Sequence, residues 1–358
     1  MGTKIKYFFF KFCLLLLVYV FVEFCTSTPN LKNPEGKEYP NSVSFLEEIE
    51  LGNSKQWILA RGTNKDNPVL LLVHGGPGNS LIPLVRYYNS ELEERFIFVN
   101  WDQRGAGKSY GSIEPHSSVT MPQLLSDLYE LVNILRKRFN KEKIYIMGHS
   151  FGSALAITTA HEYPELFYAY IGCGQFTNMV ENEKQSYRYA LKKAIQEQNK
   201  DALNDLMEIK EPPYFGADFL EKYNLHQEWL LKLGGSLYGE TSYRKFYRFY
   251  FFSSEYTKMD ALNWFKGKSE SIKLLYENIM SINLSDEIDT FDIPIYFLQG
   301  KHDYQTPSSL VEEYFHQIQA TQKELIWFEK SAHFPIFEES EKFNSVLIYK
   351  ILAETYNK

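Results

Sequence analysis

The sequence predicts an α/β fold, with a mostly parallel β-sheet, helices on both of its faces and one helical insertion. Apolar, strand-like runs such as PVLLLV and IYIM alternate with segments of helical periodicity. This alternation stops after YAYIGCG and returns at IPIYFLQG, and the stretch between is helical in periodicity, charged with both signs and dense in aromatic residues. We therefore expect a core of residues 43–175 and 291–358, interrupted by a helical cap of residues 176–290.

Composition excludes several classes of function. The chain has 358 residues, 44% of them hydrophobic, which suffices for one large domain or for a core with an insertion. A net charge of -7 gives no basic footprint for nucleic acid. Only one of the three cysteines, Cys173, lies beyond residue 25, so neither a disulfide framework nor a cysteine zinc site is available. We expect no metal, no cofactor and no nucleic-acid partner.

The N-terminal segment has the pattern of an export signal. Three lysines precede an unbroken apolar run from Phe12 to Val22. We predict a signal-anchor or signal peptide over residues 1–27, and a Pro-, Asn- and Lys-rich linker over residues 28–42. Lysines ahead of the run would keep the N-terminus in the cytoplasm. The expected localisation is therefore a membrane-anchored catalytic domain outside the cytoplasm, or a secreted one if the segment is cleaved.

Within the core, the elements can be placed in order. FLEEIEL and KQWILARG predict an opening hairpin, and PVLLLVHGG and RFIFVNWDQRG predict buried parallel strands. The helix that begins TMPQLL has Thr120 and Gln123 as a possible capping box. IYIMG and YAYIGCG predict further strands before the cap. After it come IPIYFLQG, a helix from Pro307, the strand ELIWFEK and a closing helix from about Glu338.

The stretch from Gly148 to Gly152 reads GHSFG, the G-x-S-x-G pattern of a strand–turn–helix elbow. A strand-like run precedes it and an Ala-rich, helix-like segment follows. Such an elbow forces its serine into strained backbone angles and brings strand and helix too close for a Cβ at the flanking positions. Ser150 is therefore the candidate nucleophile.

A serine hydroxyl needs a histidine to take its proton and a carboxylate to orient that histidine. Asp303 follows the strand IPIYFLQG, whereas its rival Asp292 precedes it and so lies at the wrong end. His333 follows the last strand, and its rivals are His302 and His316. The chain order Ser, acid, His favours a triad of Ser150, Asp303 and His333.

The reaction also needs donors for the oxyanion that develops on the attacked carbonyl. One is expected to be the backbone N–H of Phe151, next to the nucleophile. The other is expected from the glycine-rich HGGPG loop after the strand PVLLLV, where glycines allow a tight turn, and Gly76 is the candidate.

Together HGGPG, DQRGAGKS, GHSFG, the late aspartate and the late histidine resemble the prolyl aminopeptidase (proline iminopeptidase) family of α/β-hydrolases. The resemblance implies an α/β-hydrolase fold, the triad Ser150, Asp303 and His333, and an oxyanion hole framed by Gly76 and Phe151. It also implies that Asp102 and Arg104 support the HGGPG loop, which contains His74 and Gly75. The positions of Asp102 and Arg104 themselves indicate a charge pair at a strand end.

Two features depart from the family pattern. Phe151 stands where such peptidases carry tryptophan, and the cap glutamates that hold the substrate's free amine cannot be aligned. Candidates by residue type are Glu181, Glu183, Glu240 and Glu255, of which Glu255 is selected for its aromatic surroundings. We expect an aminopeptidase that acts on short peptides with N-terminal proline or a small apolar residue. The alternatives are an esterase or amidase with the same triad and, more remotely, an inactive surface binding protein.

Overall fold

The computed structural model describes residues 26–112 and 118–356. Within these ranges an eight-stranded sheet forms the core, with strands in the order β1-β2-β4-β3-β5-β6-β8-β10. Its strands are β1 (Val43–Leu51), β2 (Ser54–Gly62), β3 (Val69–Val73), β4 (Ile97–Asp102), β5 (Ile144–His149), β6 (Phe167–Cys173), β8 (Ile295–Gly300) and β10 (Lys323–Phe328). Two short strands, β7 (Thr290–Phe291) and β9 (Gln319–Ala320), pair separately. Pairing is antiparallel for β1–β2 and β2–β4 and parallel from β3 onward.

The central strands are apolar on both sides because both faces of the sheet are covered. In β3, Leu71 and Val73 pack into one apolar cluster while Leu70 and Leu72 pack into another on the opposite face. Helices α1 (Ile82–Tyr88), α2 (Met121–Arg138), α3 (Phe151–Glu162) and α10 (Ser308–Gln317) flank the sheet, with α11 (Pro335–Glu338), α12 (Ser340–Ser345) and α13 (Leu352–Thr355) at the C-terminal end. The predicted α/β fold with its mostly parallel sheet is confirmed.

Local sequence accounts for two of the predicted element boundaries. Gly52 and Asn53 have φ values of 53° and 58°, so the hairpin turns through two left-handed residues, as a tight hairpin requires. The side chain of Thr120 accepts a hydrogen bond from the backbone N–H of Gln123 and caps α2.

The helical insertion lies between β6 and β7. It contains α4 (Met179–Gln196), α5 (Lys200–Ile209), α6 (Phe219–Lys232), α7 (Arg244–Phe252), α8 (Lys258–Ser281) and α9 (Leu284–Glu287). The last of these precedes the return to the sheet at β8. The insertion thus occupies the part of the chain for which the cap was expected.

The segment expected to be a linker contacts both the core and the cap. Arg61 Nη1 donates to Thr28 Oγ1 at 2.7 Å, and the Thr28 hydroxyl donates to Glu255 Oε1 at 3.1 Å. The backbone N–H of Ser27 donates to Ser254 O at 3.0 Å. These residues are therefore part of the folded body.

The expectation of membrane anchoring is corrected. None of the helices in the described ranges combines the length and the apolar character that crossing a membrane would need. The apolar run behind that expectation belongs to residues 1–25, which lie outside the described residues. Membrane contact through an N-terminal helix, and the localisation drawn from it, are withdrawn.

Candidate active site

Ser150 occupies a sharp turn between β5 and α3. Its φ of 54° and ψ of -128° form a strained conformation, and its backbone N–H donates to Cys173 O at 2.9 Å. The neighbouring glycines are required by space. A Cβ added to Gly148 would overlap Ser153, and one added to Gly152 would overlap the backbone carbonyl of Val73. The sequence therefore forms the elbow that raises Ser150 at the carboxyl edge of the sheet.

Asp303 and His333 lie in the loops that follow β8 and β10. His333 Nδ1 is 2.9 Å from Asp303 Oδ2, and both side chains are almost fully buried. In the described part of the chain, His333 Nε2 has no hydrogen-bond partner. When the carboxylate is ionised, Nδ1 carries the shared proton, so Nε2 is left as an acceptor. The structure therefore joins two of the three predicted triad residues directly.

Two residues that the sequence analysis did not select hold the Asp303 carboxylate. Thr306 donates through its hydroxyl to Oδ2 at 2.7 Å and through its backbone N–H to Oδ1 at 2.8 Å. Gln299 Nε2 donates to Oδ2 at 3.0 Å. An aspartate followed three residues later by threonine is a recognisable local turn, so Thr306 carried a signal, whereas Gln299 carried none.

The HGGPG loop lies directly against the elbow. A Cβ added to Gly75 would lie 2.6 Å from Ser150 Cβ and 3.3 Å from Phe151 N. Gly76 has a φ of 117°, a conformation that favours glycine, and it lines a cleft together with Ser150. The loop backbone therefore lies beside Ser150 and the backbone N of Phe151.

Gln103 supports this loop, and the sequence analysis missed it. Gln103 Nε2 donates to His74 O at 2.6 Å, and its backbone N–H donates to His74 Nε2 at 3.2 Å. His74 Nδ1 then donates to Gly75 O at 2.9 Å. Burial lowers the pKa of His74 to about 4, so this imidazole is neutral near pH 7.

Asp102 connects the loop to the cap. Its carboxylate accepts hydrogen bonds from Ser80 Oγ, from Tyr256 Oη at 2.5 Å and from the backbone N–H of Lys108 at 2.8 Å. Because the group is fully enclosed, burial raises the pKa of Asp102 to about 6, although its hydrogen bonds oppose that shift. Asp102 therefore binds Ser80, two residues beyond HGGPG, and its support of the loop stays a prediction.

The expected pairing of Asp102 with Arg104 is wrong. Arg104 Nε donates to Asp127 Oδ2 at 2.8 Å, and Arg104 Nη2 donates to the carbonyl oxygens of Leu51 and Gly52, both at 3.0 Å. Arg104 thus fastens the β1–β2 turn to α2 and does not brace the HGGPG loop.

The selection of Glu255 as the amine-binding residue is also corrected. Its carboxylate is buried and paired with Arg86 Nε at 3.0 Å, and it does not line the cleft. Of the other candidates, Glu181 pairs with Arg188 at 3.5 Å and Glu240 pairs with Lys245 at 3.3 Å, both near the surface. Glu183 differs from these three because it faces the space beside Ser150.

Two adjoining spaces meet at Ser150. The larger is a cleft of about 1070 Å³ including space open to solvent. Nine aromatic side chains of the cap and core contribute to its lining: Tyr223, Tyr243, Phe246, Tyr247, Tyr250, Trp264, Phe265, Phe334 and Phe337. The smaller, a chamber of about 380 Å³, contains Glu183. Gly76, Ser150 and Tyr223 line both. Within the described ranges no group of three or more His, Cys, Asp or Glu side chains is placed to hold a metal ion.

Comparison with known proteins decides the family. A family model described as the alpha/beta hydrolase fold matches residues 68–340. This chain belongs to the α/β-hydrolase family. The probable aminopeptidase YbaC of Bacillus subtilis (strain 168) is 32% identical over 308 residues, which cover 86% of this α/β-hydrolase and 96% of the relative. The proline iminopeptidase of Saccharolobus solfataricus is 26% identical over 295 residues, covering 80% and 84%.

A solved structure agrees at the level of the fold. The proline iminopeptidase-related protein from Thermus thermophilus matches this α/β-hydrolase with a TM-score of 0.59 at 17% identity, covering 87% of this chain and 98% of that one. At such identity the likeness shows the fold alone. With the sequence relatives, the resemblance to proline iminopeptidases is confirmed, and the chain is a hydrolase related to aminopeptidases.

Proposed function

We propose that this α/β-hydrolase is a serine aminopeptidase that releases N-terminal proline, or another small apolar residue, from short peptides. The proposal assigns Ser150 as nucleophile, His333 as general base and acid, and Asp303 as the group that orients the imidazole. It assigns the backbone N–H groups of Gly76 and Phe151 to the oxyanion hole. The separation of 2.9 Å between His333 Nδ1 and Asp303 Oδ2 supports these roles.

The reaction proceeds by acyl transfer. Ser150 Oγ attacks the carbonyl carbon of the first residue while His333 Nε2 takes the hydroxyl proton. The resulting oxyanion accepts hydrogen bonds from the two backbone N–H groups. The C–N bond then breaks, and the imidazolium gives its proton to the leaving amine. Water attacks the acyl-enzyme through the same base, and the proton taken from water returns to Ser150.

The position and contacts of Glu183 support the proposed specificity for a free amine. Its side chain is 4% exposed and lies in the small chamber that Ser150 and Gly76 also line. Its described partners are Gln227 Nε2 at 3.4 Å and His226 Nδ1 at 3.5 Å, and no lysine or arginine within the described ranges pairs with it. A buried carboxylate without a permanent cation favours a positively charged ligand, and the free amine of a peptide supplies one.

The test is a substrate panel. Prolyl, alanyl and leucyl arylamides are compared with their N-blocked forms and with short acyl esters. We expect turnover of free-amine prolyl substrates and its loss on blocking the amine. Ser150→Ala lowers kcat by about a millionfold, judged from the loss of the nucleophile in subtilisin.

Glu183→Gln isolates the amine contact. It should lower kcat/KM for free-amine substrates by about 100-fold, because a buried charge pair loses one partner. Ester hydrolysis should change little. Glu181→Gln, two residues earlier on α4 and near the surface, is the matched control and should leave both activities intact. Equal turnover of blocked and free prolyl substrates would refute the aminopeptidase assignment.

An esterase or amidase is the second candidate, favoured by the aromatic lining of the larger cleft. Among the described residues that line this cleft there is no aspartate or glutamate, so it would suit an apolar acyl group. Hydrolysis of the esters alone would select this candidate. If folded protein failed to react at Ser150 with an organophosphonate, the inactive binding protein would be favoured.

A further inference from the structure

One face of the cap helix α8 lies against the loops of the core. Trp264 Nε1 donates to Asn79 Oδ1 at 2.9 Å. A Cβ added to Gly78 would lie 2.6 Å from Gly267 O, so helix and HGGPG loop touch through their backbones. Lys268 follows Gly267 directly. It lies four residues after Trp264 and four before Ile272, and all three line the larger cleft.

The charge of Lys268 has no described counterion. No ion pair or hydrogen bond joins Lys268 to any residue within the described ranges, and the larger cleft has no carboxylate in its described lining. Its ammonium lies 6.0 Å from the centre of the Tyr243 ring. The side chain reaches the solvent in the cleft, yet the surrounding protein desolvates it enough to lower the pKa of the ammonium. A lysine without a described counterion that lines the same cleft as Ser150 is placed to pair with an anionic group of a bound ligand.

We propose that Lys268 binds a substrate carboxylate and that, for a peptide, this is the C-terminal carboxylate of the residue following the scissile bond. The inference rests on the proposed aminopeptidase function and narrows its substrates to dipeptides with a free C-terminus. Glu183 lines the chamber and Lys268 lines the cleft, and Ser150 lines both spaces. The two charges therefore complement the two ends of a zwitterionic dipeptide.

The assignment sets a limit on the length of the substrate. An extended peptide advances at most about 3.6 Å per residue, so the ends of a dipeptide are separated by roughly 7 Å. Each further residue would move the carboxylate up to about 3.6 Å farther from the scissile bond. A longer peptide would keep the amine contact and lose the carboxylate contact.

The experiment compares a prolyl dipeptide with its C-terminal amide, with a prolyl tripeptide and with a prolyl arylamide. The wild-type enzyme should hydrolyse the free-acid dipeptide with a kcat/KM about 10- to 100-fold above that of the amide, as expected for one charge-assisted hydrogen bond. Lys268→Met should abolish that preference, so that the free-acid dipeptide and its amide have equal kcat/KM. Lys268→Arg should retain most of it. Lys266→Met, an exposed lysine on the same helix that does not line the cleft, is the matched control and should behave as wild type.

The outcomes separate the two proposals. If the wild-type enzyme turns over the arylamide but shows no preference for the free acid over the amide, the carboxylate contact is overturned and the aminopeptidase stands. The same conclusion follows if Lys268→Met lowers acid and amide turnover equally. If no free-amine prolyl substrate is hydrolysed, the aminopeptidase assignment fails and the dipeptide inference fails with it.

Discussion

Thr306 contacts both oxygens of the Asp303 carboxylate and also lies 3.2 Å from His333 Nδ1. Thr306 thereby holds the carboxylate in the position from which Asp303 orients the imidazole. Thr306→Val keeps the shape of the side chain and the backbone N–H but removes the hydroxyl donor. We expect kcat to fall about 10-fold, because a hydrogen bond to a charged group contributes about 1.5–3 kcal/mol.

Steady-state kinetics on the best substrate of the panel measure this effect. Thr306→Ser restores the donor and should recover most of the lost kcat, which a defect of packing alone would not allow. KM should change little in both variants. An unchanged kcat in Thr306→Val would mean that Gln299 and the backbone suffice to hold Asp303.

Asp102 makes stability depend on pH in an unusual direction. Its pKa in the folded protein is about 6, above its ordinary value of 3.8, so the folded state binds the proton more tightly than the unfolded chain does. The stability that this group contributes is complete below about pH 4 and is lost as the pH rises through 6. The loss amounts to at most about 3 kcal/mol for a shift of this size.

Asp102→Asn removes this titration. Chemical denaturation at several values between pH 4 and pH 7 should show the wild-type free energy of unfolding declining with pH relative to that of the variant. The variant also weakens the contacts to Ser80 and Tyr256, so its stability at pH 4 should be lower than that of wild type. Parallel profiles for the two proteins over this range would contradict the buried, protonatable state of Asp102.

The site residues that sequence reasoning selected for the triad are those that follow directly from a strand end. Ser150, Asp303 and His333 each follow a recognisable strand, and the topology of a parallel sheet brings such positions to one edge. Arg104 was mispaired because its partner Asp127 lies on α2, and nothing local to the motif indicates that contact. Gln103 was missed for the same reason, since its contacts with His74 depend on packing between distant segments.

At the level of elements, helix α8 packs against the core at Gly267. A Cβ at this position would overlap Gly105 O, so the helix can approach only because the residue is glycine. Gly267→Ala should displace α8 and cost about 1–3 kcal/mol of stability from overpacking, partly offset by the better helix propensity of alanine. Because Trp264 and Lys268 move with the helix, KM should rise.

Thermal unfolding and steady-state kinetics together test whether the contact at Gly267 fixes the position of α8. Gly111→Ala is the matched control, since Gly111 also faces α8 but an added Cβ would lie 3.8 Å from its nearest neighbour, Asn263 Nδ2. The control should keep both Tm and KM close to wild type. If Gly267→Ala behaved like the control, α8 would have room to adapt and would not be fixed by this contact.

The sheet was more predictable from sequence than the cap. Buried parallel strands are continuously apolar and bounded by turn residues, so β3 and β5 can be read locally. The aromatic segment from Ser242 to Phe252 indicated a helix, but its helical period does not say which neighbour the helix packs against. Glu255 illustrates this limit: its aromatic surroundings suggested the pocket, whereas its partner is Arg86 in the core.

At the scale of the whole molecule, a buried chain of charges joins the N-terminal segment, the core and the cap. Arg61 pairs with Glu93 at 3.0 Å, Glu93 with Arg86 at 2.7 Å, and Arg86 with Glu255 at 3.0 Å. Glu255→Gln leaves Arg86 with an incomplete set of partners. We expect a loss of about 3 kcal/mol in the free energy of unfolding, as for other buried pairs that lose one member.

The same variant should leave kcat/KM for free-amine substrates within a few-fold of wild type at temperatures where it is folded. Denaturant titration and the substrate panel measure the two effects separately. Glu183→Gln should give the opposite pattern, with large changes in kcat/KM and small changes in stability. A selective loss of free-amine turnover in Glu255→Gln would indicate that Glu255 contacts the substrate amine.

Thr28 accepts a hydrogen bond from the core residue Arg61 and donates one to the cap residue Glu255. A single hydroxyl near the start of the described chain therefore connects the core with the cap. Cutting the chain on either side of this residue therefore has unequal results. A protein shortened to begin at residue 26 keeps the hydrogen bonds of Thr28. One shortened to begin at Val43 loses them together with the Ser27–Ser254 hydrogen bond. The contacts that join core and cap thus extend beyond the sheet to Ser27 and Thr28.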